Sequence, residues 1–206
     1  LGLALLLALA PCAAPAQMGT GRSGFSTDRT PNAREYWSAV RDFGRCFIRR
    51  QENDALALLS TQPESREEQA VIAILFRGET NCTDMRLLTF LSRHVRGAFA
   101  EGMILDGRLI PARLAVTAPA SVAAVRTLSD AARCYTAAHG AEVRALITDT
   151  RPGSPEELAA LERMDPEFRR CLPPAGQASR FPATDLRYKL AESLLRLGPT
   201  APEAPR

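Results

Sequence analysis

Cys46, Cys82, Cys134 and Cys171 are the residues whose type and spacing most directly imply chemistry. Thiols can hold zinc, act as nucleophiles or pair as disulfides. Structural zinc takes close pairs such as C-x2-C, whereas the gaps here are 36, 52 and 37 positions. An even number of cysteines behind an export leader reads as a disulfide framework, because exported proteins meet oxidising surroundings. Bridges use these cysteines better than nucleophilic chemistry does.

The leader is residues 1–16, an uncharged apolar run broken at Pro11 and ending in small residues. Ala14-Pro15-Ala16 has the A-x-A form that a signal peptidase accepts, so the mature chain is expected to start at Gln17. The run falls short of the roughly 20 residues that span a bilayer, so no transmembrane segment is expected in the mature chain. The missing initiator Met and basic n-region suggest residues upstream. Cys12 follows Pro11, where a lipoprotein site needs a small residue, and this argues against lipidation.

Two charged groupings come next. Arg41, Arg45 and Arg49 are four apart and share a helix face, with Arg50 beside it; such a stripe could meet an acidic partner or envelope phosphates. Against that stands a solvated face tempered by Asp42 and Glu52, the reading we favour. Arg96 and Glu101 recur as Arg187 and Glu192. Five residues turn a helix by about 140°, so neither pair bridges along its own face and each member needs a partner elsewhere. Because the same residues occur twice, a structural ion pair is favoured over a catalytic carboxylate. His94 and His139 lack metal-ligand spacing, and no G-x-S-x-G elbow occurs. No catalytic, cofactor-binding or metal residue is assigned, and no cofactor is expected.

Amphipathic helices must position these groups. Tyr36, Trp37, Val40, Phe43, Phe47 and Ile48 give one buried face between Arg34 and Gln51. Asn53 is expected to cap a short helix to Leu59, Pro63 to break the chain, and Ser65 to cap a helix with Val71, Ile72, Leu75 and Phe76 inward. Ser92 opens a helix carrying Val95, Phe99 and Met103. The plan then repeats. Val122, Val125, Leu128, Ala132 and Tyr135 stripe a helix ending near Gly140, and Val143, Leu146 and Ile147 are expected inside. Arg151-Pro152-Gly153 breaks the chain, Ser154 caps the next helix, Phe181-Pro182 is extended, and Thr184 caps the last helix.

An offset of 88 aligns Cys46 with Cys134; 89 aligns Pro63 with Pro152, Ser65 with Ser154 and Cys82 with Cys171; 91 aligns Phe90 with Phe181, Arg96 with Arg187 and Glu101 with Glu192. The agreements fall at caps, breaks and cysteines, the signature of an internal duplication. Four cysteines allow three pairings. A unit copied whole carries its own bridge, which selects Cys46–Cys82 and Cys134–Cys171. Breaking one bridge is then expected to loosen its own unit and largely spare the other, provided few contacts cross residues 106–120.

This arrangement resembles small exported helical-repeat proteins of alphaproteobacteria, sphingomonads in particular. The matching pieces are Cys46 with Arg49-Arg50, Pro152-Gly153-Ser154, Cys82 and Cys171, and the closing Arg96…Ala100-Glu101 and Arg187…Ala191-Glu192. Pro63-Glu64-Ser65 departs in the first copy, and Cys134 lacks the basic pair. The resemblance implies export and helical repeats, and no chemistry.

The expected architecture is all-α, two tandem disulfide-closed units of about four helices each. Residues 17–31 form a disordered lead-in, 32–105 the first unit, 106–120 a connection, 121–197 the second unit and 198–206 a disordered tail. A net charge of +3 is too small to imply nucleic acid. The expected function is an exported, periplasmic or secreted, non-enzymatic protein binding another protein or envelope component. A small envelope hydrolase is the alternative.

Overall fold

The computed structural model describes residues 25–26, 33–63, 65–76, 82, 92–108 and 110–197. The leader, Cys12, most of the lead-in, the Phe90 segment and the tail lie outside the described residues.

The fold is all-α. The helices are α1 (Ala33–Arg50), α2 (Glu52–Ser60), α3 (Arg66–Leu75), α4 (Ser92–Leu105), α5 (Leu128–Asp149), α6 (Pro155–Arg170) and α7 (Ala183–Leu197). α5 is two helices joined at a kink, where His139 adopts φ −125° and ψ 33°, so each unit carries four helical segments. Cys46–Cys82 and Cys134–Cys171 are bonded, with Cα atoms 5.5 and 5.8 Å apart, ordinary spacings for a disulfide. No helix among the described residues is long and apolar enough to cross a membrane.

Local chemistry explains the helix starts. Ser65 and Ser154 each accept a hydrogen bond from the backbone N–H three residues on, satisfying a donor that the helix cannot use. Three expected starts move. Glu52 begins α2, so Asn53 lies inside the helix and Gln51 precedes it without a side-chain bond. Val122 falls in a short 3-10 turn and is exposed; the helix waits for Thr127, which forms a capping box with Asp130 and so satisfies two orphan donors at once. Thr184 is already inside α7 and buried.

α4 and α7 sit at the centre. Neither shows a simple two-sided pattern, because residues from His94 to Ile104 are all buried and α7 buries eleven of its fifteen residues. α4 packs against both α1 and α7, and α7 packs against α5. Close approach is written in glycine. A Cβ on Gly44 would lie 2.3 Å from the Ala98 carbonyl oxygen, and one on Gly97 would lie 2.1 Å from the Tyr188 Cβ.

One buried core runs through both units, holding Phe43, Phe47, Leu58, Phe99 and Met103 from the first with Tyr135, Leu146, Phe168, Leu186 and Leu190 from the second. The condition for independent units, few contacts across the connection, is therefore not met. The apolar surfaces of α4 and α7 are covered by each other as well as by α1 and α5. Phe25–Ser26, inside the stretch expected to lack order, pair in parallel with Phe181–Pro182.

Candidate functional site

The repeated arginines and glutamates find their partners in the opposite unit. Arg96 Nη2 donates to Glu192 Oε1 at 2.7 Å, and Arg187 Nη2 donates to Glu101 Oε1 at 2.8 Å. All four side chains are buried. The surrounding bonds correspond closely. Arg96 donates to the carbonyls of Leu58 and Leu59 and to Thr61 Oγ1. Arg187 does the same with Leu146, Ile147 and Thr150. Glu68 and Glu157, each 3.5 Å away, complete the two sets. These carbonyls end α2 and α5, where a helix leaves acceptors unsatisfied and favours a cation.

One residue breaks the symmetry. Arg41 does not face water with its stripe: its Nε lies 3.1 Å from Glu101 Oε1, and Nη1 donates to the Thr150 carbonyl at 3.1 Å. Arg45 and Arg49 turn to Asp106, at 3.3 and 2.7 Å. Arg49 and Arg50 keep the outward place expected of the stripe, while Arg41 and, in part, Arg45 are drawn to acceptors in and just after α4 and α5 that helical spacing does not reveal.

The residue 88 positions after Arg41 is Ser129, and where its short side chain stands the surface opens into a cleft of about 540 Å³. The turn after α2 forms one wall, with Ser60 and Thr61; the first turn of α5 forms another, with Ser129, Asp130 and Arg133; α7 forms the floor, with Lys189, Glu192, Ser193 and Arg196. That volume is within the usual range for small-molecule sites. Val116 N–H donates to the Arg196 carbonyl at 3.0 Å, and Arg196 Nε donates to the Leu114 carbonyl at 3.1 Å, fixing the connection beside the cleft.

Both carboxylates of the cleft are engaged. Burial opposes ionisation of Glu192, but Arg96, with Lys189 and Arg196 beyond it, holds its carboxyl below the usual range. Asp130 is likewise held low: burial works against it, and the Arg126 and Thr127 backbone N–H groups and the Arg133 side chain outweigh burial. The cations are less well served. Arg133 contacts Asp130, yet its Nε is buried without a partner among the described residues. Lys189, the sole lysine of the chain, has no carboxylate within ion-pair distance among the described residues.

Histidine chemistry lies elsewhere. His94 Nε2 sits 3.1 Å from Asp185 Oδ1, but the ring is buried edge-on against Trp37, with centroids 4.7 Å apart. Its Nδ1 faces no described partner. No group of three or more metal-ligating side chains occurs among the described residues. Comparison with family models, curated proteins and solved structures finds no match.

Lys189, Arg133, Arg196, Ser129 and Ser193 escaped the reading of the sequence. They sit on helices far apart in the chain, and each alone reads as a surface residue. A signal was present in the offset of 88 that sets Arg41 against Ser129.

Proposed function

We propose that the protein is an exported, non-enzymatic binding protein of the periplasm or cell envelope, built by duplication of one disulfide-closed helical unit. It holds its partner, an envelope component, in the cleft between the turn after α2 and the helices α5 and α7. The observation that carries this reading is the cleft itself, with cations left over after its carboxylates have been matched. The leader and the two disulfides support export. The matching hydrogen-bond sets of Arg96 and Arg187 support duplication.

Binding through an apolar helix face has less support, since Ile74 and Val122 are the exposed large hydrophobic side chains among the described residues. Acid–base catalysis also has less. General acids and bases work best with a pKa near the working pH, whereas Asp130 and Glu192 are held below the ordinary carboxylate range, and among the described residues neither histidine nor cysteine lines the cleft.

Native mass spectrometry of the chain released gently from the periplasm tests the reading. An added mass that the Ser129→Arg variant loses is the expected result. A bare chain, or an added mass that Ser129→Arg retains, contradicts it.

A further inference from the structure

Resting on that reading, we propose that the cleft binds a small, hydroxyl-bearing carboxylate, taken as a monoanion. The two halves of the fold provide an internal comparison. Around Arg187, the Glu101 carboxylate meets a second cation, Arg41, which also covers the Thr150 and Ile147 carbonyls. Around Arg96, the second cation on Glu192 is Arg196, reaching from its own helix at 3.2 Å. The charge that Arg41 supplies in one half is thus replaced in the other, but the volume it fills is not.

Into that volume the cleft brings Arg133, Lys189 and Arg196 against Asp130 and Glu192, a net charge of +1. Asp130 is taken by Arg133 and the α5 cap, and Glu192 by Arg96 and Arg196. Lys189 is the cation left without an ion pair, and the buried Nε of Arg133 is a donor without an acceptor. A monoanion of oxygen acids answers Lys189, since a carboxylate accepts charge-assisted hydrogen bonds from an ammonium group. A dianion would overfill the charge and a cation would meet Lys189 directly. The remaining wall is mixed: Ser60, Ser129 and Ser193 share it with Pro63, Val116 and Leu128, which suits a ligand carrying hydroxyl groups on a carbon frame.

Isothermal titration of the full mature chain with glucuronate, glucose, glucosamine and glucose 6-phosphate tests the assignment. The first three share a ring and differ in charge, and the last presents phosphate in place of carboxylate. Glucuronate is expected to bind saturably, more weakly as salt rises, with the other three at least tenfold weaker. Lys189→Met, which removes no ion pair, should weaken glucuronate about tenfold with its circular dichroism and disulfides unchanged. Ser129→Arg should abolish binding. Equal binding of glucose and glucuronate, preference for the phosphate or the amine, or full affinity in Lys189→Met would overturn the assignment. If no probe binds yet the purified chain carries an added mass, the carboxylate class is wrong and the binding reading stands. If no probe binds and the chain is bare, both fall.

Discussion

Arg96 and Glu192 stand 2.7 Å apart with 96 positions between them, and Arg187 and Glu101 make the same pair in reverse across 86 positions. Each unit contributes the arginine of one pair and the glutamate of the other. A buried carboxylate and guanidinium both lose hydration, and removing one leaves the other uncompensated. Glu101→Ala and Glu192→Ala are each expected to destabilise by about 3–5 kcal/mol. Chemical denaturation is the measurement. The Arg96→Met, Glu192→Ala double variant should lose less than the sum of its singles, because the stranded partner has gone.

Gly97 marks where α4 and α7 touch. Because an added Cβ would lie 2.1 Å from that of Tyr188, Gly97→Ala forces the helices apart. A loss of at least about 1–3 kcal/mol is expected from such overpacking, measured as a lowered denaturation midpoint. Gly107, at φ +65° with open space around it, should lose stability on change to alanine through backbone strain rather than packing.

The disulfides close loops of 36 and 37 positions. Replacing either pair by alanine should cost about 2–5 kcal/mol. Since the core is continuous through both units, loss of one bridge should lower the stability of the whole chain. Hydrogen exchange should show α4 and α7 losing protection together whichever bridge is removed.

Acid should unfold the protein through specific carboxyls. Those of Asp106, Asp130, Asp185 and Glu192 are held below their ordinary range by hydrogen bonds and neighbouring cations that outweigh burial. The unfolded chain takes up protons first as pH falls through about 4, so stability is complete above that window and is lost toward the lower folded-state values. Glu157 runs the other way: burial raises it against the pull of Arg187, so its folded form binds a proton first and gains on acidification. Urea midpoints against pH should therefore fall less steeply for Glu192→Gln and more steeply for Glu157→Gln.

Much of the frame was legible in the sequence because it is local. Caps at Ser65 and Ser154 depend on three residues, the stripe from Trp37 to Ile48 on one helix, and the bridges on copies of one spacing. The about 140° between Arg96 and Glu101 already demanded outside partners. Which partners was hidden, since the answer depends on how α4 crosses α7. The pattern of those two helices hid their central place as well: charged and small residues interrupt the apolar stripe, and glycine contributes packing without hydrophobicity. Arg41 misled for a similar reason. Its spacing groups it with Arg45 and Arg49, while its partners Glu101 and Thr150 lie on other helices.

The account depends on the two units forming one body braced by exchanged ion pairs, since that body builds the cleft. Producing residues 17–105 and 106–206 as separate oxidised chains, then mixing them, tests this most directly. The expected result is that neither chain alone shows a cooperative thermal transition, while the mixture forms a one-to-one complex that melts as a unit and loses its affinity when Glu192 is changed to alanine. Two separately produced halves that each melt cooperatively, with no change on mixing, would contradict it.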